Sequence, residues 1–566
     1  MLGPAFLRNS VRLSLLLSIA LLFAGCGSTT PPQTGKVPDA PPPGPGQPPP
    51  PPPPVPGPPP GPGALVDVLT HHYDAGRTGA NTSETVLTPA NVNSNQFGKL
   101  FAFAVDGQLY AQPLYLSGVS IPGKGPKNVV YAATEHDSVY AFDADGGSLT
   151  PLWQRSFINP SAGITTVSDA DLPQLYEDIA PEIGITGTPV IDAASGTLYV
   201  VTKTKENGNF VQRLHALDVA TGDEKFGGPV TIQASVPGSG ARNDGNGNVV
   251  FDPLINLQRA ALLLSGNTVY VAFGSHGDFD PFNGWILGYD AHNLKQVLEY
   301  TPDADGAGGS VWQAGGGPAA DSGGNIYVQV ANGDFDAAGG GRDYGDSAVK
   351  LQPSGSTFNV LDYFTPFDQQ TLNQLDHDLG AGGVVLLPDQ PDAPSHLLLA
   401  SNKEGKLYIV DRDNMGHLHA GDDSQILQTI QLGGGIFSTP AALGNKVYVS
   451  AVRDSLKCYT VNAGHLTLSS DTGQILGYPG STPVISANGN SNGIVWTLQV
   501  DHQLSDAAVL HAYDANDLSH ELYNSTQMAG RDQAGALVKF TVPVVVNGKV
   551  YVGGGDQLTV YGLIQN

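Results

Sequence analysis

Apolar and polar positions alternate along most of this chain in short runs, each broken by glycine, proline or acidic residues. Residues 128–153, NVVYAATEHDSVYAFDADGGSLTPLW, show the unit most plainly. Residues 129–134 are rich in β-branched and aromatic side chains and read as a strand. Glu135-His136-Asp137 is a polar turn, residues 139–142 alternate again, residues 143–147 turn once more, and Leu152-Trp153 opens a further strand. A shorter apolar run, residues 113–116, precedes the unit. Echoes begin at Thr197, Thr268, Asn325, His396, Lys446, Gly493 and Lys549. Most follow a short segment of the type Gly187-Thr188-Pro189, Ser438-Thr439-Pro440 or Ser481-Thr482-Pro483. A recurrence every ~40–75 residues marks a repeat array. The count is eight units, which predicts an all-β, eight-bladed β-propeller of four-stranded antiparallel blades. The last unit is one strand short, while residues 99–105, KLFAFAV, stand alone upstream. Pairing the two closes the ring and leaves no open sheet edge.

The N-terminal 63 residues do not share this pattern. Arg8 and Arg12 precede an apolar run at 13–24 that is too short to span a bilayer, and the segment ends Leu22-Phe23-Ala24-Gly25-Cys26. This resembles a bacterial lipoprotein processing box, which makes residues 1–26 a signal peptide and Cys26 the lipidated first residue of the mature chain. Gly27, in place of Asp, points to the outer membrane. Residues 27–63 are a Pro/Gly-rich linker. As polyproline II at ~3.1 Å per residue, roughly 30 residues reach on the order of 90 Å. Residues 64–566 are then the propeller, held in the bacterial cell envelope through a lipid anchor alone.

Composition narrows the partners. Lys+Arg 26 against Asp+Glu 52 gives a net charge of −26, which argues against nucleic acid. With two cysteines, one of them Cys26, Cys458 is left alone as a buried, inert thiol. Residues 69–92 have little strand character and are expected to lie across the propeller, with His71-His72 in a solvated loop.

In a propeller the turns between second and third strands share one face with the interblade connections. Here those turns carry Glu135-His136-Asp137, residues 203–207, His276-Gly277-Asp278, Asn332-Gly333-Asp334, Asn402-Lys403-Glu404, Arg453-Asp454, Asp501-His502 and Asp556. The connections add Glu182, Gln258-Arg259, Trp312 and Asp376-His377-Asp378. Polar tips belong to any hairpin that meets water. The gathering of acids, bases and amides on one face nevertheless makes it the face where a ligand enters.

Several segments resemble the pyrroloquinoline quinone (PQQ) dehydrogenases, the quinoprotein alcohol dehydrogenases. They are LTPANV at Leu87 followed by KLFAF, ALDVATGDEKF at Ala216, GGSVWQAGGGPAADSGGNIYVQVANGDFD at Gly308 and SNKEGKLYIVDRDNMGHL at Ser401. The resemblance implies that Trp312 stacks under the quinone and that Lys403 contacts it. It also implies that Glu206, Asn332 and Asp378 bind calcium, with Asp378 and Lys403 in catalytic roles. Calcium takes such oxygen ligands and polarises a quinone carbonyl, while a carboxylate accepts the proton of an alcohol or sugar hydroxyl. The chain departs from the family in lacking its adjacent cysteines, in lacking Pro-Trp after Asn332, and in having only four Trp. It also resembles the propeller lipoprotein of outer-membrane-protein assembly, which is not an enzyme. The alternative expectation is therefore a monomeric scaffold that binds a protein or polysaccharide.

Overall fold

Each Val-Tyr-Val-like run forms the second strand of a four-stranded antiparallel sheet, because its alternating side chains can be buried on both faces. The protein is seen in a computed structural model that describes residues 65–174, 176–499 and 507–564. The signal-like segment, Cys26, the Pro/Gly stretch and the Asp501-His502 turn lie outside these residues. The first blade comprises Leu114–Ile121, Gly125–Thr134, Ser138–Asp143 and Trp153–Ser156. Six further blades span residues 190–231, 263–300, 319–365, 385–431, 441–475 and 484–524. The eighth pairs Val544–Val546, Lys549–Gly553 and Gln557–Leu563 with Phe97–Ala104 as its outer strand. The ring is thus closed by the N-terminal strand that the repeat count called for.

The core lies between blades. Eight apolar clusters each join residues of two neighbouring blades, so that the first packs on the second and the eighth on the first. Cys458, fully buried and unpaired, belongs to the layer between the sixth and seventh. Tyrosine hydroxyls tie several layers across. Tyr131, Tyr199, Tyr448 and Tyr551, all on second strands, donate to the carbonyls of Val219, Ala291, Ala515 and Ala144 in the next blade, at 2.9, 2.6, 2.6 and 3.3 Å. A buried phenol needs such a partner, and each carbonyl follows an aspartate that turns the chain toward its outer strand. Trp153 donates to the same Val219 carbonyl at 3.0 Å.

The inner strands are met by the segment at residues 66–84. Its backbone bonds Tyr115 of the first blade, Ile191 of the second, Ala320 of the fourth, Leu386 of the fifth, Ala442 of the sixth and Ile485 of the seventh, at 2.7–2.9 Å. Tyr73 Oη accepts from Val545 N of the eighth blade at 2.8 Å. Arg77 completes the set. Its guanidinium donates to Leu262 O at the third blade, Pro318 O, His71 O and the Thr70 hydroxyl, at 2.7–3.1 Å, and is fully buried. The segment lies across the propeller as expected, but His71 and His72 are not solvated. Both are buried, their rings stack at 4.7 Å, and burial pushes both below the usual histidine range, His72 to about 4. They pack neutral beside the buried cation.

Arg77 therefore holds the strap to the ring by donors with no substitute. Arg77→Ala is expected to lower stability by about 3–5 kcal/mol, read from the midpoint of chemical unfolding. A midpoint within experimental error of the parent chain would show that the strap merely lies on the ring.

Candidate active site

Five elements bring polar side chains together at one end of the axis. Asp278 sits in the turn between Thr268–Ser275 and Trp285–Asp290, and Asn332 follows Ile326–Val330. Trp312 lies in the connection to the fourth blade. The helix Gln369–Leu375 stops at Asp376 and places Asp378 two residues on, beside Lys403 in the turn before Lys406–Asp411. The backbone is left-handed at Asp278 and Asp376, with φ of 51° and 60°. Aspartate tolerates that region better than most residues, and such positions concentrate at functional sites.

Carboxylate oxygens of Asp278, Asp376 and Asp378 lie within 4.8 Å of one another. Lys403 Nζ pairs with Asp376 Oδ1 at 2.7 Å and with Asp378 Oδ2 at 3.1 Å. Trp312 Nε1 donates to Asp378 Oδ2 at 3.2 Å, Asn332 Nδ2 donates to Asp376 Oδ1 at 2.8 Å, and Ser275 donates to Asp278 at 3.0 Å. Three carboxylates thus face one ammonium. At this spacing each ionised like pair costs about 3 kcal/mol at an effective dielectric near 20. Burial pushes the Asp378 carboxyl up to about 7 against the pull of Lys403, and Asp278 and Asp376 add to the rise. Burial likewise raises Asp278. The Lys403 side chain is half-buried, yet Asp378 and Asp376 hold it charged.

The set fits a hard cation. Asn332 Oδ1 and Asp378 Oδ1 are enclosed and have no hydrogen-bond partner among the described residues, and every donor atom available is oxygen, which suits calcium. The surroundings fit a flat anion. Lys403 Nζ stands 5.8 Å from the half-buried Trp312 ring. Ring contacts run from Trp312 to Phe437 and on to Phe540, each at 6.3 Å. Arg259 then lies 4.7 Å from the Phe540 ring and 5.1 Å from that of Tyr110. Arg259 is 5% exposed, and its Nε has no partner among the described residues. The insertion between the first and second blades packs beside these groups, with its Leu172, Tyr176 and Ile179 buried against Leu257 and Phe279.

Trp312, Asn332, Asp378 and Lys403 are therefore brought together, and Glu206 is not. Its carboxylate is held by both terminal nitrogens of Arg213, with Nη2 at 3.0 Å, and by Thr204 at 2.9 Å. The cause is strand length. Thr197–Glu206 runs ten residues, and Lys203 already reaches the level of the neighbouring turns. Lys203 N donates to Asp137 at 3.2 Å and its Nζ to His276 at 2.7 Å. Three further residues carry Glu206 roughly 10 Å beyond. Asp278 supplies the third carboxylate instead. It was visible in the sequence as a tip, but nothing there distinguished it from its neighbours.

No family model and no curated protein matches the chain. Solved structures do match. A quinohemoprotein alcohol dehydrogenase from Comamonas testosteroni superposes with a TM-score of 0.55 at 15% identity, over 88% of this chain and 80% of that one. A europium-containing methanol dehydrogenase gives 0.54 at 14%, over 88% and 98%. BamB from Moraxella catarrhalis gives 0.48 at 14%, over 82% and 99%. At such identities the likeness is one of architecture: the chain has the eight-bladed fold of the quinoprotein dehydrogenases.

The raised Asp378 pKa has a consequence for stability. In the metal-free fold the protonated form is favoured, so this group's contribution is full below about pH 4 and is lost as pH rises through about 7. Between pH 5 and 8 the parent chain should lose stability relative to Asp378→Asn by on the order of a few kcal/mol. Parallel stability curves for the two proteins in chelator-treated buffer would contradict this.

Proposed function

We propose that the axial site binds calcium and a PQQ-type cofactor and oxidises the hydroxyl of a small alcohol or sugar. The observation that carries the reading is the pair of enclosed, unpartnered oxygens, Asn332 Oδ1 and Asp378 Oδ1, within a cluster two positive charges short of balance. Asn332, Asp278, Asp376 and Asp378 would hold the ion. When bound, the quinone supplies the hydride acceptor and the ion polarises it.

The chain's own residues do the rest. Asp378, fixed at Oδ2 by Trp312 and Lys403 and kept ionised by the ion it would hold, is the carboxylate placed to take the hydroxyl proton. Lys403 keeps a positive charge beside developing negative charge. Arg259, whose Nε has no partner among the described residues, offers its guanidinium to an anionic group of the ligand, and the aromatic chain from Trp312 to Phe540 excludes water.

We further propose that Cys26 is lipidated and that residues 27–63 tether the propeller at the outer membrane. Cys26→Ser should move the protein from the membrane to the soluble fraction, and a protein that stays membrane-bound would overturn that assignment.

Reconstitution tests the axial site. Titrating purified protein with PQQ should give a saturable absorption change at one quinone per chain, abolished by chelation. A dye-linked assay should then show oxidation of a primary alcohol or aldose. Trp312→Ala and Arg259→Ala should each weaken quinone binding at least about tenfold, or ~1.4 kcal/mol. Absence of any calcium-dependent spectral change would remove the dehydrogenase reading and leave the propeller as a binding scaffold.

A further inference from the structure

A cavity of about 670 Å³ opens on the outer rim between the third and fourth blades, away from the residues of the axial cluster. An insertion builds one wall. Between the second and third blades, Ser235–Pro237 and Asn248–Val250 pair as a hairpin that belongs to no blade. The hairpin is pinned across the rim. Gly240 N donates to Ala304 O at 3.0 Å, Ala241 N to Gly306 O at 2.9 Å, and Arg342 Nη2 to Pro237 O at 2.9 Å. Tyr300, Tyr344 and Phe358 supply aromatic surface opposite, with Tyr300 and Phe358 packed edge to face at 5.8 Å.

The cation of this lining is already engaged. Arg342 donates to both oxygens of Asp305, at 2.7 and 3.0 Å. Glu299 accepts from Ser235 N at 3.3 Å and from Gln296 at 3.4 Å. Apart from that carboxylate, whose two bonds both fall on Oε2, the lining is neutral. The hydroxyls of Tyr300 and Thr301, adjacent residues that both line the cavity, are enclosed and have no hydrogen-bond partner among the described residues; Thr301 is 2% exposed. Enclosed hydroxyls ordinarily find partners. The volume falls within the range of small-molecule sites, roughly 300–1,000 Å³.

Aromatic faces beside neutral hydrogen-bonding groups suit a ligand with a C–H face and a rim of hydroxyls. An anion would find Arg342 already engaged, and a purely apolar molecule would leave both hydroxyls without partners. We infer that this rim cavity is a saccharide site, taking a short neutral pyranose oligomer independently of the axial chemistry. The hairpin is the device that creates it, since without residues 235–250 the aromatic wall faces open solvent.

Saturation-transfer NMR on the full chain, with neutral tetrasaccharides of glucose, galactose, mannose and N-acetylglucosamine, tests this. At least one should bind with a Kd of about 0.1–1 mM. Tyr344→Ala should weaken that binding at least about tenfold. Thr301→Val and Tyr300→Phe should weaken it several-fold while leaving the melting temperature unchanged or higher, because each removes a hydroxyl without a partner. Asp278→Asn in the axial cluster should leave saccharide binding unaltered. The inference is overturned if none of the tetrasaccharides saturates at about 10 mM, if the rim variants bind like the parent, or if Asp278→Asn abolishes binding and so places the sugar on the axis.

Discussion

Each blade of a propeller leaves its innermost strand with backbone groups facing the axis. Those groups are as costly to leave unpaired as any others in a folded protein. In this chain the strap at residues 66–84 answers them, with backbone bonds to six blades, the Tyr73 hydroxyl to the eighth and the Arg77 guanidinium to the third. The remainder of the fold depends on that solution. The inner strands can stay short, two to five residues in the second to eighth blades, because they gain partners on the axial side. The polar connections that lead into them are then held at one level, where Trp312 and Asp378 meet. Arg77 suits this work because its planar fork reaches several carbonyls at once and stays charged at neutral pH, although burial lowers its pKa to about 10.

At the other end of the axis the governing constraint is charge. Lys403 is the ammonium that three carboxylates share, and Asp278 and Asp376 adopt left-handed backbone to reach it. Packing alone gives no reason for such an arrangement. A chain selected only for stability would place one carboxylate opposite one ammonium, or apolar groups in their place. Both the excess of oxygen donors and the free oxygens of Asn332 and Asp378 follow if the cluster is made to receive a cation. The aromatic path from Trp312 to the Phe540–Arg259 pair adds a place for a flat, negatively charged molecule beside it.

Much of the fold was legible because strand periodicity and turn chemistry are local. The Val-Tyr repeats and the orphan run at residues 99–105 were enough to number the blades and close the ring. The Tyr131, Tyr199, Tyr448 and Tyr551 contacts were present in the same repeats but unreadable, since each hydroxyl meets a carbonyl one blade away. The site was legible in part. Trp312, Asn332, Asp378 and Lys403 lie where turns and connections of a propeller must lie. Glu206 misled because depth along a hairpin depends on how far the strands extend, and residue spacing does not reveal that Lys203 is the residue at site level. His71 and His72 misled for a related reason, as an irregular segment was read as wet when both of these side chains are buried.

The central claim is that the axial cluster receives a hard cation directly beside Trp312. Terbium, an oxygen-seeking ion that substitutes for calcium, tests it most directly because indole sensitises its emission at short range. Of the four Trp, Trp285 and Trp496 are fully buried in layers between blades and Trp153 caps an interblade contact, so Trp312 alone adjoins the three carboxylates. The account predicts tryptophan-sensitised emission that calcium competes away and that both Trp312→Phe and Asp278→Asn abolish. No sensitised emission, or emission that survives both substitutions, would contradict it.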